Sequence, residues 1–158
     1  MGGASRKRVP FAPSPHDVVD KMLSIADPSS DELLVDLGSG DGRIVISASR
    51  DYRCKAIGVE INPELLRLSR EKVMKISPHR ARIIQGDLHQ FDFSKADVIT
   101  LYLLPSTLKM LKPKLTMLKR EARIVSHDYA VPGLEPDEVC VVKSRATGRR
   151  HVIYLYVM

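Results

Sequence analysis

The stretch Leu33 to Gly42, LLVDLGSGDG, limits what this chain can fold into more than any other. Leu33, Leu34, Val35 and Leu37 form a near-continuous apolar run of strand length, the pattern of a parallel strand buried on both faces. Gly38, Gly40 and Gly42 follow at alternate positions. They free the backbone for positive φ and for close approach of a ligand, and RIVISA then opens a helix. Strand, glycine turn and helix start make a βα cradle, expected to hold free backbone N–H groups at its helix end.

The spacing narrows what the cradle holds. A dinucleotide fingerprint reads G-x-G-x-x-G and aims a helix dipole at a pyrophosphate. This turn reads D-x-G-x-G-x-G, with Arg43 where the third glycine of that fingerprint would fall. Asp36 and Asp41 place two carboxylates where a pyrophosphate would be repelled. They suit a ligand with a cationic end, such as an amino-acid ammonium.

At 158 residues the chain has the length of one domain, expected over residues 10–158 after a flexible basic tail at 1–9 carrying Arg6, Lys7 and Arg8. No apolar run approaches a membrane span, and MGGASRKRVP lacks the apolar core of a secretory signal, so a cytoplasmic protein with no membrane contact is expected. Cys54 and Cys140 stand apart from each other and from any histidine cluster, which predicts buried reduced thiols and no metal site. The net charge of +6 admits acidic surfaces or nucleic acid as partners without selecting either.

Taken in order, PFAPSP predicts an extended arm in which Phe11 needs a surface to pack on. Ser14, Pro15 and Asp17 predict a capping-box start for a first helix with Val18, Val19, Met22, Leu23 and Ala26 on its apolar face. A second strand over 55–60 ends in Glu60, about twenty residues beyond the glycines, where an acid can accept from ribose hydroxyls. Asn62 and Pro63 predict the N-cap and first position of the next helix. A third strand is expected over 81–87 and a fourth, the most apolar, over 96–104; Gly86, Asp87 and Leu88 then lie where a ligand base rests. Leu108, Leu111, Leu115 and Leu118 give a helical face opposite Lys109, Lys112, Lys119 and Arg120, with Pro113 expected to split it in two. RIVSH at 123–127 is a fifth strand, and segments 138–144 and 151–157 form a hairpin around SRATGRR. The sum is a three-layer αβα, Rossmann-like α/β fold, with one antiparallel strand supplied by the hairpin.

VDLGSGDGRIVISA, Glu60 after strand two, and Gly86-Asp87 resemble the class I S-adenosylmethionine-dependent methyltransferases. PFAPSPHDVVDKML, ITLYLLPSTLKMLKPKL, RIVSHDY and VIYLYV resemble more narrowly an archaeal-like group of broad-specificity protein lysine methyltransferases. The group has mitochondrial relatives acting on the ATP synthase c-subunit and the adenine nucleotide translocase. The resemblance implies a mostly parallel seven-stranded sheet, S-adenosyl-L-methionine as cofactor, and methyl transfer to lysine ε-amines. The membrane-targeting segment of the mitochondrial relatives has no counterpart in this sequence, so soluble protein substrates are expected, and the chain is expected to act as a monomer. The resemblance places Asp36, Gly38, Ser39, Gly40 and Asp41 on the methionine part, Glu60 and Ile61 at the ribose, and Asp87 with Leu88 at the adenine. Phe11 and Ser14 would close over the cofactor, Phe11 standing where relatives often carry Tyr. Tyr102, His127, Asp128 and Tyr129, after strands four and five, are the catalytic candidates. The alternatives are an RNA or other nucleic-acid methyltransferase, against which strand four ends in TLYLLP rather than N/D-P-P-Y, and a cofactor-binding protein without activity.

Overall fold

The computed structural model describes residues 11–158; the expected basic tail at 1–9 lies outside the described residues. Strand β1 (Leu33–Leu37) leads through the glycine turn into a short helix α2 (Arg43–Ser47), after helix α1 (His16–Ala26) has opened the described chain. A wide π-type turn, Ala48–Tyr52, extends α2, and β2 (Lys55–Glu60), α3 (Pro63–Ile76) and β3 (Ala81–Gln85) follow. The rest is β4 (Val98–Leu101), α4 (Pro105–Leu115), β5 (Arg123–His127), β6 (Glu138–Lys143) and β7 (Arg150–Val157).

The seven strands form one sheet in the order β3-β2-β1-β4-β5-β7-β6. Strands β1 to β5 pair in parallel, while β7 pairs antiparallel with both β5 and β6. The hairpin thus supplies the one reversed strand, and β6 runs with the first five. Winding proceeds outward from β1 to β3 and then jumps back to β4, so the strand order reverses between β1 and β4. Ligands bind open α/β sheets in the crevice beyond the carboxyl ends at such a point. The glycine turn and Tyr102 are the segments that follow these two strands.

One face of the sheet packs α1, α2 and α3 against Leu34, Ala56, Ile83, Val98, Val125 and Ile153. The other packs α4 and Phe93 against Val35, Leu37, Val59, Ile99, Leu101, Ile124 and Tyr156. Leu108, Leu111 and Leu115 of α4 are fully buried, and each contributes about 1.5–3 kcal/mol by leaving water. That anchoring explains why α4 runs through Pro113, where a break was expected. The proline lies in the last turn, so it removes one ladder bond, to the carbonyl of exposed Lys109, and little helix remains for its ring to disrupt. Lys114 in α4 donates to the His89 carbonyl, and Lys119 of the basic face, just past the helix, pairs with Asp97.

The Asn62 side chain accepts from Glu64 and Leu65 N–H, as the Asn-Pro start of α3 predicts. The start of α1 departs from expectation. Pro15, not Ser14, is its N-cap and no side chain caps it. Ser14 turns its hydroxyl to His127, and Asp17 accepts from Ser144 Oγ and Arg145 N–H in the hairpin turn. Long-range partners outcompete the local box. Strands three and four stop short of their expected ends, because the chain after Gln85 and Leu101 turns out of the sheet. Cys54 is a buried free thiol, pushed up to about 11 by burial; Cys140 is also free but only half-buried.

Candidate functional site

The glycine turn is shaped by its own hydrogen bonds. Gly38, Gly40 and Gly42 take φ of 78°, 57° and 82°, which side-chain-bearing residues adopt only with strain. Gly38 and Ser39 N–H both donate to the Val59 carbonyl, at 2.9 and 3.0 Å, and Gly40 N–H donates to Glu60 Oε1 at 2.8 Å. The amides of Gly38, Ser39 and Gly40 thus tie the turn to the neighbouring strand β2. Ser39 points its hydroxyl inward, where it has no hydrogen-bond partner among the described residues. A Cβ at Gly58 would lie 2.5 Å from that oxygen, so Gly58 is the residue that lets the turn settle onto β2.

The acids divide in a way that residue order alone does not reveal. Asp36 is 4% exposed, and its Oδ1 accepts from Thr100 Oγ1 at 2.8 Å across the β1–β4 register. Its other oxygen has no partner among the described residues. Burial first, with Glu60 and Asp41 adding repulsion, pushes its carboxyl up to about 7 against the pull of Thr100. Asp41 instead is chelated by Arg43, with Nε 3.0 Å from Oδ1 and Nη2 2.7 Å from Oδ2, and Lys72 lies 3.7 Å away. Burial raises it, but Arg43 overrides and holds it below the usual carboxylate range. Of the two acids expected to face a cationic ligand, Asp36 has no cationic partner among the described residues, while Asp41 is paired with Arg43. Glu60 Oε2 accepts from Ile61 and Asn62 N–H at 3.0 and 2.9 Å, so with Gly40 its carboxylate already has three amide donors. Of its roughly four acceptor positions, about one remains for a hydroxyl.

Around these acids the walls are apolar. A Cβ on Gly38 would touch Leu103 at 3.4 Å and Leu88 at 3.9 Å. Ile61 stands 55% exposed at the lip, and Asp87 Oδ1 accepts from His89 N–H, tying down the turn after β3. The arm crosses above: the Phe11 ring lies on Gly40, where a Cβ would meet it at 2.5 Å. Ser14 is held twice, its hydroxyl sharing a 2.8 Å hydrogen bond with His127 Nδ1 and its carbonyl accepting from Arg43 Nη1 at 2.9 Å. Arg43 thus fastens the glycine turn to the arm.

Beyond β4 the Tyr102 ring stacks on His127, with centroids 3.9 Å apart. His127 Nε2 shares a 2.8 Å hydrogen bond with His151 Nδ1, and His151 Nε2 meets Thr147 Oγ1 at 3.1 Å. Burial above all, with His151 and Arg149 assisting against Asp128, lowers His127 to about 4, so it is a neutral imidazole near pH 7. Asp128, at φ 63°, accepts from Val152 N–H and from Arg149 Nη2 at 3.0 Å. The donor atoms of His127, Asp128 and His151 lie within 4.8 Å of one another, a metal-like grouping, but Arg149 Nη2 bonds two of the three and supplies a cation from the chain itself. Tyr129 does not join this cluster and is half-buried against the opposite core.

The structure therefore brings Tyr102, His127 and Asp128 together, and gathers Asp36, Gly38, Gly40, Glu60, Leu88 and Phe11 around one crevice. Sequence reasoning missed Thr100, Arg43, Leu103, Arg149 and His151. Thr100 carried a signal, as a hydroxyl inside the most apolar strand; Arg43 and the hairpin pair act over distances that local patterns do not encode.

Residues 36–138 match the family model described as the ANTKMT methyltransferase domain. The chain is 43% identical to the protein-lysine N-methyltransferase of Saccharolobus islandicus (strain REY15A), covering 95% of this chain and 94% of that protein. It is 32% identical to the ATP synthase c-subunit lysine N-methyltransferase of Xenopus laevis over 83% of this chain, spanning only 58% of that longer protein. A solved structure described as an RNA methyltransferase from Salinibacter ruber, in complex with S-adenosyl-L-homocysteine, is 37% identical and superposes with a TM-score of 0.85. The match covers 92% of this chain and 93% of that one.

Proposed function

The chain belongs to the ANTKMT methyltransferase family and is an S-adenosylmethionine-dependent methyltransferase, and from that premise we propose that its acceptor is the lysine ε-amine of protein substrates. The observation that carries this reading is the likeness, over nearly the full length of both chains, to a protein-lysine N-methyltransferase. The crevice suits the cofactor: Asp36 offers a buried carboxylate with one free oxygen, Gly38 faces the apolar walls of Leu88 and Leu103, and Gly40 lets the Phe11 ring close over the turn.

In this reading Asp36, oriented by Thr100, takes the ammonium of the methionine part. Gly38 and Gly40, with Ser39 holding the turn from within, admit its backbone close to the strand end. Asp41 acts indirectly, by fixing Arg43. Glu60 and Ile61 line the ribose position, Asp87 and Leu88 with Leu103 the base, and Phe11 and Ser14 cover the whole. When bound, S-adenosylmethionine would supply a methyl group on a sulfonium; a lysine ammonium must first give up a proton, after which its neutral amine would take the methyl as a methylammonium and leave the sulfur as a neutral thioether. A lysine with an ordinary pKa near 10.4 is less than about 0.1% neutral at pH 7, so the site must desolvate and orient it. Tyr102 would form one wall at the carboxyl edge, backed by buried, neutral His127, whose two ring nitrogens are taken up by Ser14 and His151, so that His127 acts by positioning Tyr102. Asp128 would frame that wall from the following turn, held by Arg149 and Val152. Alignment of amine and methyl accounts for roughly 7–11 kcal/mol of a barrier of this kind.

A second reading, RNA as acceptor, is favoured by the likeness to the Salinibacter ruber structure and by the charge of +6. Mass spectrometry of lysine peptides and of short RNA after incubation with S-adenosylmethionine separates the two. A gain of one methyl mass on lysine is expected; modified nucleosides with unmodified lysine would replace the first reading by the second.

A further inference from the structure

The hairpin turn KSRATGRR, residues 143–150, carries Lys143, Arg145, Arg149 and Arg150 and no acid. It is an ordered turn: Ser144 N–H bonds the Arg149 carbonyl, Gly148 N–H bonds the Ser144 carbonyl, and Asp17 grips Ser144 and Arg145 from α1. The two acids that reach it are engaged, Asp17 by these hydroxyl and amide donors and Asp128 by Arg149 and Val152. Lys143, Arg145 and Arg150 are exposed and form no ion pair among the described residues. Residues 1–10, beyond the described part, contain no acid either.

Lys143 and Arg150 stand directly opposite each other in the β6–β7 register. Like charges so placed destabilise a strand pair. A partner of opposite charge would relieve that repulsion.

Strand alternation puts Val139, Val141, Val152 and Tyr154 on the face that Lys143 and Arg150 share. The other face of β6 packs Cys140 and Val142 into the core. Val139 and Val141 are 52% and 60% exposed, so this strip of sheet is open beside the charges. The patch borders the candidate site, because Arg149 bonds Asp128, the residue after His127.

We infer that the face of the β6–β7 hairpin, with Lys143, Arg145 and Arg150, docks a segment of the protein substrate that carries Asp or Glu next to the target lysine and apolar residues beyond. An acidic flank meets the cations, and the valine strip takes the apolar part. Half-buried Tyr154 is the only aromatic of this strip, so a nucleic acid would find basic charge without a row of stacking platforms. The inference rests on the protein-lysine reading and deepens it.

The test uses the full chain and two short peptides that differ only in flanking a single lysine with glutamates or with arginines. The triple variant Lys143→Glu, Arg145→Glu, Arg150→Glu leaves Arg149 and every buried residue in place. The wild type should show a KM about tenfold lower for the acidic peptide, and the preference should shrink as salt is raised. The triple variant should reverse the preference, with kcat on either peptide within about twofold of wild type. Rescue by the arginine-flanked peptide excludes simple misfolding. Lysine methylation that ignores flanking charge in both enzymes would overturn the docking surface while leaving the lysine reading intact. Methylation of neither peptide, with methylation of RNA, would overturn both. A change of oligomeric state in the triple variant without a change in peptide preference would assign the face to a second copy and overturn the inference.

Discussion

Asp36 and His127 are buried on the same face of the sheet, and burial works on them with opposite consequences for stability. Asp36 is raised to about 7 from 3.8, so the folded chain keeps a proton that the unfolded chain loses, and stability falls as pH rises from about 4 to 7. His127 is lowered to about 4 from 6.5, so the folded chain refuses a proton that the unfolded chain takes up, and stability rises over about 4 to 6.5. At 1.36 kcal/mol per pKa unit each slope amounts to something on the order of 3 kcal/mol, and the two largely offset. Glu32, lowered to about 2 mainly by Arg123, loses its contribution only as pH falls below its ordinary 4.5. Urea unfolding across pH 4.5 to 6.5 should therefore give a nearly flat profile for the wild type and a rising one for Asp36→Asn. A profile of the same shape in both would contradict the burial assigned to Asp36. The same variant keeps an acceptor for Thr100 but loses the charge, so it should be more stable than wild type at pH 8. It should bind S-adenosylmethionine about 10- to 100-fold more weakly by calorimetry, the range for a hydrogen bond to a charged group. Stability and binding would then move in opposite directions at one residue.

The glycine turn and the arm work as a pair of elements. Gly58→Ala would drive a methyl into the Ser39 side chain and to 2.9 Å from Ile83, and overpacking of this kind costs about 1–3 kcal/mol. A lowered melting temperature with weakened cofactor binding is expected, since Ser39 would have to leave β2; an unchanged melting temperature would contradict the packing. Phe11→Ala removes a ring that is 48% exposed, so the melting temperature should hardly move while affinity for S-adenosylmethionine falls about tenfold. Unchanged affinity would mean that the arm rests on the turn without covering the site. In α4, Pro113→Ala should change stability by less than about 1 kcal/mol, because buried leucines and not the helix ladder hold that element. These elements also show where sequence reading reaches its limit. Strand β1, the three glycines, the Asn-Pro start of α3 and the leucine face of α4 are local patterns, and each is where periodicity and turn chemistry put it. The capping box at Ser14 failed because His127, 113 residues away, offered its hydroxyl a buried partner. The pairing of Asp41 with its neighbour Arg43 was not legible in the sequence, being a matter of rotamer rather than of spacing.

At the scale of the whole molecule the reversal of strand order between β1 and β4 sets the site, and the reversed strand β7 completes it. By entering between β5 and β6, β7 carries His151 beside His127 and sets the arginine-bearing turn at the edge where the parallel strands end. No helix among the described residues is long and apolar enough to cross a membrane. The chain carries a net charge of +6, to which the hairpin turn contributes Lys143, Arg145, Arg149 and Arg150 with no acid among them. The central claim is that this crevice delivers a methyl group to lysine. Methyl-labelled S-adenosylmethionine incubated with a cell extract and either the wild type or Asp36→Asn, then split between protease and nuclease, tests it most directly. The account predicts label that protease releases and nuclease leaves, recovered as methyl-lysine on acid hydrolysis and reduced about 10- to 100-fold in the variant at S-adenosylmethionine concentrations below saturation. Label released by nuclease and resistant to protease would contradict it.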